Sequence, residues 1–143
     1  MMKAFSLEDL EKSDIAKSAG IDNSIPENLK EKAKDLIVNV LDPALALYGS
    51  WIVISSGYRS PKLNAHPKIK GSPTSQHSLM EAADLQAKDI DKLYSIIRDN
   101  LEFDQLIYET KDSNGCLVKW VHVSYRKGKN RNQILKLHNG KKV

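Results

Sequence analysis

In this 143-residue chain Asn114-Gly115 lies between two stretches in which apolar and polar residues alternate, and that combination constrains the fold tightly. Asn-Gly is the strongest short-range signal for a two-residue hairpin turn, because both central residues must take positive φ. Pairing Ser113 with Cys116 and counting outward sets Glu109 opposite Trp120, Ile107 opposite His122 and Gln105 opposite Ser124. Side chains alternate along a strand, so Gln105, Ile107, Glu109, Trp120, His122 and Ser124 share one face. Leu106, Tyr108, Val121, Val123 and Tyr125 share the other. The second face reads as core and the first as a site.

The rest of the chain supplies helices and two more strands. Ser6-Leu7-Glu8-Asp9 and Ser13-Asp14 are helix N-cap patterns opening two short helices, the second closed by Gly20. Pro26 at a first helical position predicts a longer amphipathic helix with Leu29, Ala33, Leu36, Ile37, Val40 and Leu41 on its inner face. Trp51-Ile52-Val53-Ile54-Ser55 suits a buried strand ending in a turn at Gly57, which presents Arg59 at a strand end. Ser60-Pro61 caps a brief helix, and residues 66–74, with Pro67, Gly71 and Pro73, read as an irregular loop delivering His77. Residues 82–87 read as a strand, and Ile90, Leu93, Ile96, Ile97 and Leu101 give the next helix its inner face.

Composition sets the outer limits. With 41% hydrophobic residues, a chain of this length can bury a core without disulfides or a structural metal, so one domain over residues 1–143 is expected. Cys116 is the only cysteine, which excludes an intrachain disulfide and a four-sulfur zinc knuckle. The segment Met1-Met2-Lys3-Ala4-Phe5-Ser6 lacks the apolar run of a secretory signal, and no stretch approaches the roughly 20 apolar residues of a membrane span. Synthesis in the cytoplasm, with no membrane partner, is the expectation. The net charge of +4 is concentrated in a basic tail from about residue 126, where Arg126, Lys127, Lys129, Arg131, Lys136, Lys141 and Lys142 stand with no acid among them. A solvated terminus is the expected state of that tail. Nucleic-acid binding is the weaker reading, because only Tyr125 at the edge could stack on bases.

Two imidazoles and one carboxylate complete the protein ligands of a catalytic zinc that keeps a fourth position open for water. His77, Asp84 and His122 could supply them. The separation of His77 from Asp84 is not the i,i+4 spacing of a helical ligand pair, so spacing alone does not single them out. His66 and His138 take the ordinary reading of packed or surface histidines.

The surrounding residues do single them out. Ser75, His77, Ala82 and Asp84 resemble the Ser-x-His-x-x-Gly-x-Ala-x-Asp motif of the zinc D-Ala-D-Ala carboxypeptidase and endopeptidase family. Trp120 and His122 match that family's Trp-x-His strand, and Ser56-Gly57-Tyr58-Arg59 matches its Ser-Gly-Tyr-Arg turn. The similarity runs from about Phe5 through Leu135 and is nearest to the compact single-domain branch of phages and bacteria. The resemblance implies an α+β fold of the Hedgehog/DD-peptidase kind, with a small antiparallel sheet and helices on one side. It also implies one Zn2+ held by His77, Asp84 and His122.

Two positions depart from the pattern. Met80 stands where the motif has glycine, at a backbone position that is expected to be left-handed or crowded, which puts the His77–Asp84 loop in question. Related enzymes often carry an acid three residues before the last histidine, and here that position is Lys119. The hairpin register offers Glu109 as the general base instead, a diagonal neighbour of His122 about 7–8 Å away between backbone positions. Glu81 is the second candidate. Arg59 would aim a cationic fork at a substrate carboxylate or at the developing oxyanion. Ser75 and Gln76 are candidate polar contacts to substrate, and Trp120 either walls the metal or sits at the core edge.

The function expected from these residues is metal-assisted hydrolysis of a peptide bond in bacterial peptidoglycan, in stem or cross-link peptides containing a D-amino acid. The chain would act as a monomer, on the wall after release or as part of a phage particle. A metal-binding virion or wall-binding module of the same fold, weak or inactive in turnover, is the alternative.

Overall fold

In the computed structural model, which describes residues 4–143, Asn114 and Gly115 both take left-handed backbone angles, with φ of 50° and 79°. They join β3 (Gln105–Ser113) to β4 (Cys116–Ser124). The register is the expected one, with Ser113 facing Cys116, Glu109 facing Trp120 and Ile107 facing His122. At the far end the backbone N–H of Gln105 donates to Ser124 Oγ at 3.0 Å. Met1, Met2 and Lys3, the start of the stretch read for a secretory signal, lie outside the described residues.

Beyond the hairpin, β2 (Ala82–Ala87) pairs with the free edge of β4, and β1 (Ile52–Ser56) pairs with β2, both antiparallel. The predicted buried strand at 51–55 is therefore an edge strand. Trp51 precedes it, and Val53 is 52% exposed, because only one side of β1 has a partner and only one face packs on the core. Its register shifts between Ile54 and Ser56. Such irregularities bend a strand and re-aim the residues after it, here the turn at Gly57.

The basic tail is not a solvated terminus. β5 (Gln133–His138) lies parallel to β3, and β6 (Lys141–Lys142) folds back on β5, so the sheet order is β1-β2-β4-β3-β5-β6. Pairing satisfies the N–H and C=O groups that the outer edge of β3 would otherwise present. Leu135 and Leu137 are half-buried on the way. The class is α+β as expected, with a mixed sheet of six strands.

The helices cover one face. Ser6 and Asp9 form a reciprocal capping box on α1 (Leu7–Glu11), and Ser13 caps α2 (Asp14–Ala19), which ends at Gly20 with φ 68°. Pro26 does not open the long helix. It sits in an extended conformation before a 3₁₀ turn over Glu27–Leu29, and α3 (Lys30–Leu36) begins after that. A π-helical turn over Ile37–Leu41 then leads into α4 (Asp42–Tyr48). Pro43 accounts for the wide turn: it has no N–H to donate and its ring crowds the carbonyl four residues back.

Ala33, Leu36, Ile37, Val40 and Leu41 are buried as their spacing predicted. They pack with Leu93 and Ile97 of α6 (Ile90–Asn100) on Leu85, Leu106, Val121 and Val123 of the sheet. Ile96 and Leu101 are only partly buried, whereas Tyr94 of the same helix is in the core. Among the described residues, no helix is long and apolar enough to cross a membrane.

Candidate metal centre

Directly opposed residues of an antiparallel pair point to the same face of the sheet. Asp84 of β2 is the Cα partner of His122 of β4, and their side chains meet on the face away from the helices. His122 Nδ1 lies 3.0 Å from Asp84 Oδ1, and His77 Nε2 lies 3.5 Å from Asp84 Oδ2. The imidazole centroids are 5.1 Å apart, with the rings inclined at 69°.

One ligand atom from each of His77, Asp84 and His122 falls within 4.8 Å of the others. Donors bound to one tetrahedral zinc at about 2.1 Å lie roughly 3.4 Å from each other. The set therefore fits a single ion with little movement.

The chemistry of the donors fits as well. His77 Nδ1 is 2.8 Å from the carbonyl oxygen of Gly57. A carbonyl can only accept, so Nδ1 carries the hydrogen and Nε2 turns its lone pair towards Asp84, the usual orientation of a metal-binding imidazole. Burial opposes ionisation of Asp84, but His77 and His122 outweigh it and hold the carboxyl well below the usual range. It remains an anion, as a ligand must.

His77 reaches the strands on a loop fixed from several sides. The Ser56-Gly57-Tyr58-Arg59 turn presses against α1, where Tyr58 N–H donates to Leu10 O at 2.7 Å. A Cβ on Gly57 would lie 2.5 Å from that carbonyl oxygen, so only glycine fits the approach. The buried Asn23 amide donates to Glu11 O and Tyr58 O and accepts from Ser60 N–H, tying this turn to α1 and to the start of α5 (Pro61–Asn64). Arg59 N–H donates to His77 O at 3.3 Å, joining turn and loop.

Met80 adopts the left-handed backbone expected of a glycine, with φ 57°, while its side chain is completely buried in the core. The loop thus keeps the geometry of the motif. Burial of the side chain offsets the backbone cost.

A cleft of about 710 Å³ opens over the three ligands. Arg59, Ser75, Gln76, Glu109 and Trp120 all line it, as do Gln105 and Ile107 from the face that the hairpin register marked out. Glu109 is half-buried. Burial raises its pKa and nearby Asp84 adds to the rise, with His122, Trp120 and Arg59 pulling against them. Burial lowers the pKa of Arg59, which Asp84 and Glu109 oppose, and its Nε is buried without a hydrogen-bond partner.

Other candidates are engaged elsewhere. Glu81 lines the cleft, but its buried carboxylate is held by Lys32 at 3.1 Å and Arg126 at 3.6 Å. Ser75 Oγ accepts from His77 N–H at 3.2 Å, and Gln76 Nε2 donates to Asp104 Oδ2 at 2.8 Å. Lys119 lies on the other face of β4, where it meets Tyr108. The ladder is unbroken from Ser113–Cys116 to Leu106–Val123, so an acid at position 119 would also point away from the ligands. His138 bonds Thr110 and Asp112, and His66 accepts from Lys68 N–H, both outside the cleft lining.

Arg126 and Arg131 also line the cleft and were not among the residues expected there. Both belong to the segment read as a tail, and nothing in their local sequence distinguishes them from its exposed lysines.

The sequence model of a family described as Peptidase M15 matches residues 3–124. It stops short of Leu135, where the motif resemblance was read to end, and so excludes β5 and β6. A search of curated proteins found no match.

Proposed function

The chain belongs to the peptidase M15 family, and from that premise we propose that it is a zinc peptidase cleaving stem or cross-link peptides of bacterial peptidoglycan at a bond involving a D-amino acid. The observation that carries this reading is the convergence of His77, Asp84 and His122 on the floor of an open cleft that also holds a half-buried carboxylate. When bound there, zinc supplies Lewis acidity, lowering the pKa of a coordinated water to about 7 and polarising the carbonyl under attack.

The chain's own residues perform the proton transfers. Glu109 takes the proton of the attacking water and returns it to the amine nitrogen as the peptide bond breaks. Glu109 is placed for this by the hairpin register, which sets it on the same face as His122 within the cleft. Arg59, which lines the cleft, binds the substrate through its carbonyl oxygen or a terminal carboxylate. Trp120 walls one side of the cleft against bulk water. The enzyme meets the wall after release from the cell or as part of a phage particle.

Digestion of purified peptidoglycan tests the proposal. New amino groups are expected with the zinc-loaded chain and not with Glu109→Gln. Zinc binding without amine release from any wall preparation would instead select a metal-binding wall or virion module.

A further inference from the structure

We propose that Arg131 is a positioning residue for the metal centre, acting through Asp104 and Gln76 on the loop that carries His77. The inference rests on the zinc-peptidase reading, because it gives Arg131 a task at that centre.

Asp104, immediately before β3, has no exposed surface. A carboxylate in such a place is costly unless it is paired and fully hydrogen-bonded. Arg131 meets it with a two-point fork, Nε to Oδ1 and Nη2 to Oδ2, both at 2.9 Å, and the backbone N–H of Arg131 donates to Oδ1 at 3.2 Å. The remaining donor is Gln76 Nε2, at 2.8 Å from Oδ2. Arg131 chiefly, with Gln76 assisting, holds the Asp104 carboxyl down to about 2 against its burial. The network is therefore ionised wherever a peptidase would be assayed.

Gln76 is the sequence neighbour of His77, and its carbonyl accepts Glu81 N–H at 2.9 Å, closing the base of the loop. On the far side, His77 Nδ1 is fixed to Gly57 O. The loop is thus tied at two points, through the His77 imidazole to the Gly57 turn and through the neighbouring Gln76 side chain to Asp104. The second anchor depends on a residue beyond the part of the chain matched by the family. Asn132 N–H to Phe103 O at 2.9 Å and Gln133 N–H to Asp104 O at 3.0 Å bring Arg131 into place. The segment after Ser124 is, on this account, part of the active site's support.

The test is zinc affinity of the full chain, measured by competition with a chromophoric chelator, for wild type, Gln76→Ala, Arg131→Ala and the double variant. Gln76→Ala leaves the Arg131–Asp104 fork intact, so its melting temperature should stay near wild type while zinc binding weakens. Each single change is expected to weaken binding about tenfold, the lower end for residues that orient a ligand without touching the metal. The double variant should bind no more weakly than Arg131→Ala, because both act through one chain of contacts. Arg131→Lys keeps the charge without the fork and should recover only part of the loss.

Zinc affinities of both single variants within about twofold of wild type would overturn the proposal, as would effects that multiply in the double variant. If Arg131→Ala does not fold, Gln76→Ala and Arg131→Lys decide by the same criterion. A wild-type chain that binds no zinc overturns the zinc reading and this inference with it, whereas normal zinc binding in wild type and in every variant overturns this inference alone.

Discussion

Asp84 and His122 face each other across the β2–β4 ladder, with His122 Nδ1 3.0 Å from Asp84 Oδ1. Two of the three candidate ligands are thus set by the register of a sheet, and only His77 depends on a loop. The same sheet buries a continuous core on its other face, so the fold does not need the metal to form. Chelation is expected to abolish peptidase activity while leaving the circular dichroism spectrum folded. The stability lost should be about 3–4 kcal/mol when free zinc had stood several hundred-fold above its Kd, as ligand linkage requires. Urea unfolding with and without chelator measures it.

Met80 combines a left-handed backbone with complete burial of its side chain, so two effects of opposite sign meet at one residue. Removing a buried methionine side chain costs about 2–5 kcal/mol, whereas relieving the left-handed backbone returns only about 1–2 kcal/mol. Met80→Gly is therefore expected to destabilise the chain despite restoring the residue of the motif. Met80→Ala removes most of the same side chain without relieving the backbone and should be the less stable of the two by about 1 kcal/mol. Urea midpoints for the three chains test this, and alanine outlasting glycine would contradict the assigned conformation.

Glu109 is assigned to proton transfer and not to metal binding. Glu109→Gln should lower kcat by about 10²–10⁴, with zinc content and KM close to wild type. Glu81 serves as the control, since its carboxylate is already held by Lys32 and Arg126. A kcat for Glu109→Gln near wild type would contradict the assignment.

Asp104 makes part of the stability depend on pH. Its carboxyl is held at about 2 in the folded chain and returns to about 3.9 when unfolded. A folded value below the unfolded one means that the contribution is present in full above about pH 4. It fades as pH falls towards 2. Arg131 is partly open to solvent, and screening on that side leaves a contribution of about 1–2 kcal/mol. Wild type should exceed Asp104→Asn by that amount at pH 7, with the gap reduced to about a third at pH 2.5 and closing below pH 2. A gap that stays constant over this range would contradict the assignment.

The sequence carried the site further than it carried the sheet, for physical reasons. Asn114-Gly115 is local, and its turn geometry alone fixed which side chains of both strands share a face, so Glu109 could be placed beside His122 without any tertiary information. Gly57 and the glycine position held by Met80 were legible because unusual backbone conformations restrict residue type. β5 and β6 were missed: β5 pairs in parallel with β3 and no tight turn links those two strands, and although Asn139-Gly140 forms the two-residue turn between β5 and β6, the lysines around it resemble those of a solvated terminus. Arg131 and Asp104 are 27 residues apart and their fork leaves no periodic trace. Pro26 was read one structural step too early because a proline suits the extended entry to a 3₁₀ turn as well as a first helical position.

The most direct test of the account is the zinc content of the purified chain after dialysis, for wild type and for His77→Ala, Asp84→Ala and His122→Ala, each checked for folding. The account predicts about one zinc per wild-type chain and less than about a tenth of that in each variant. Full occupancy in any folded variant would contradict the three-ligand centre.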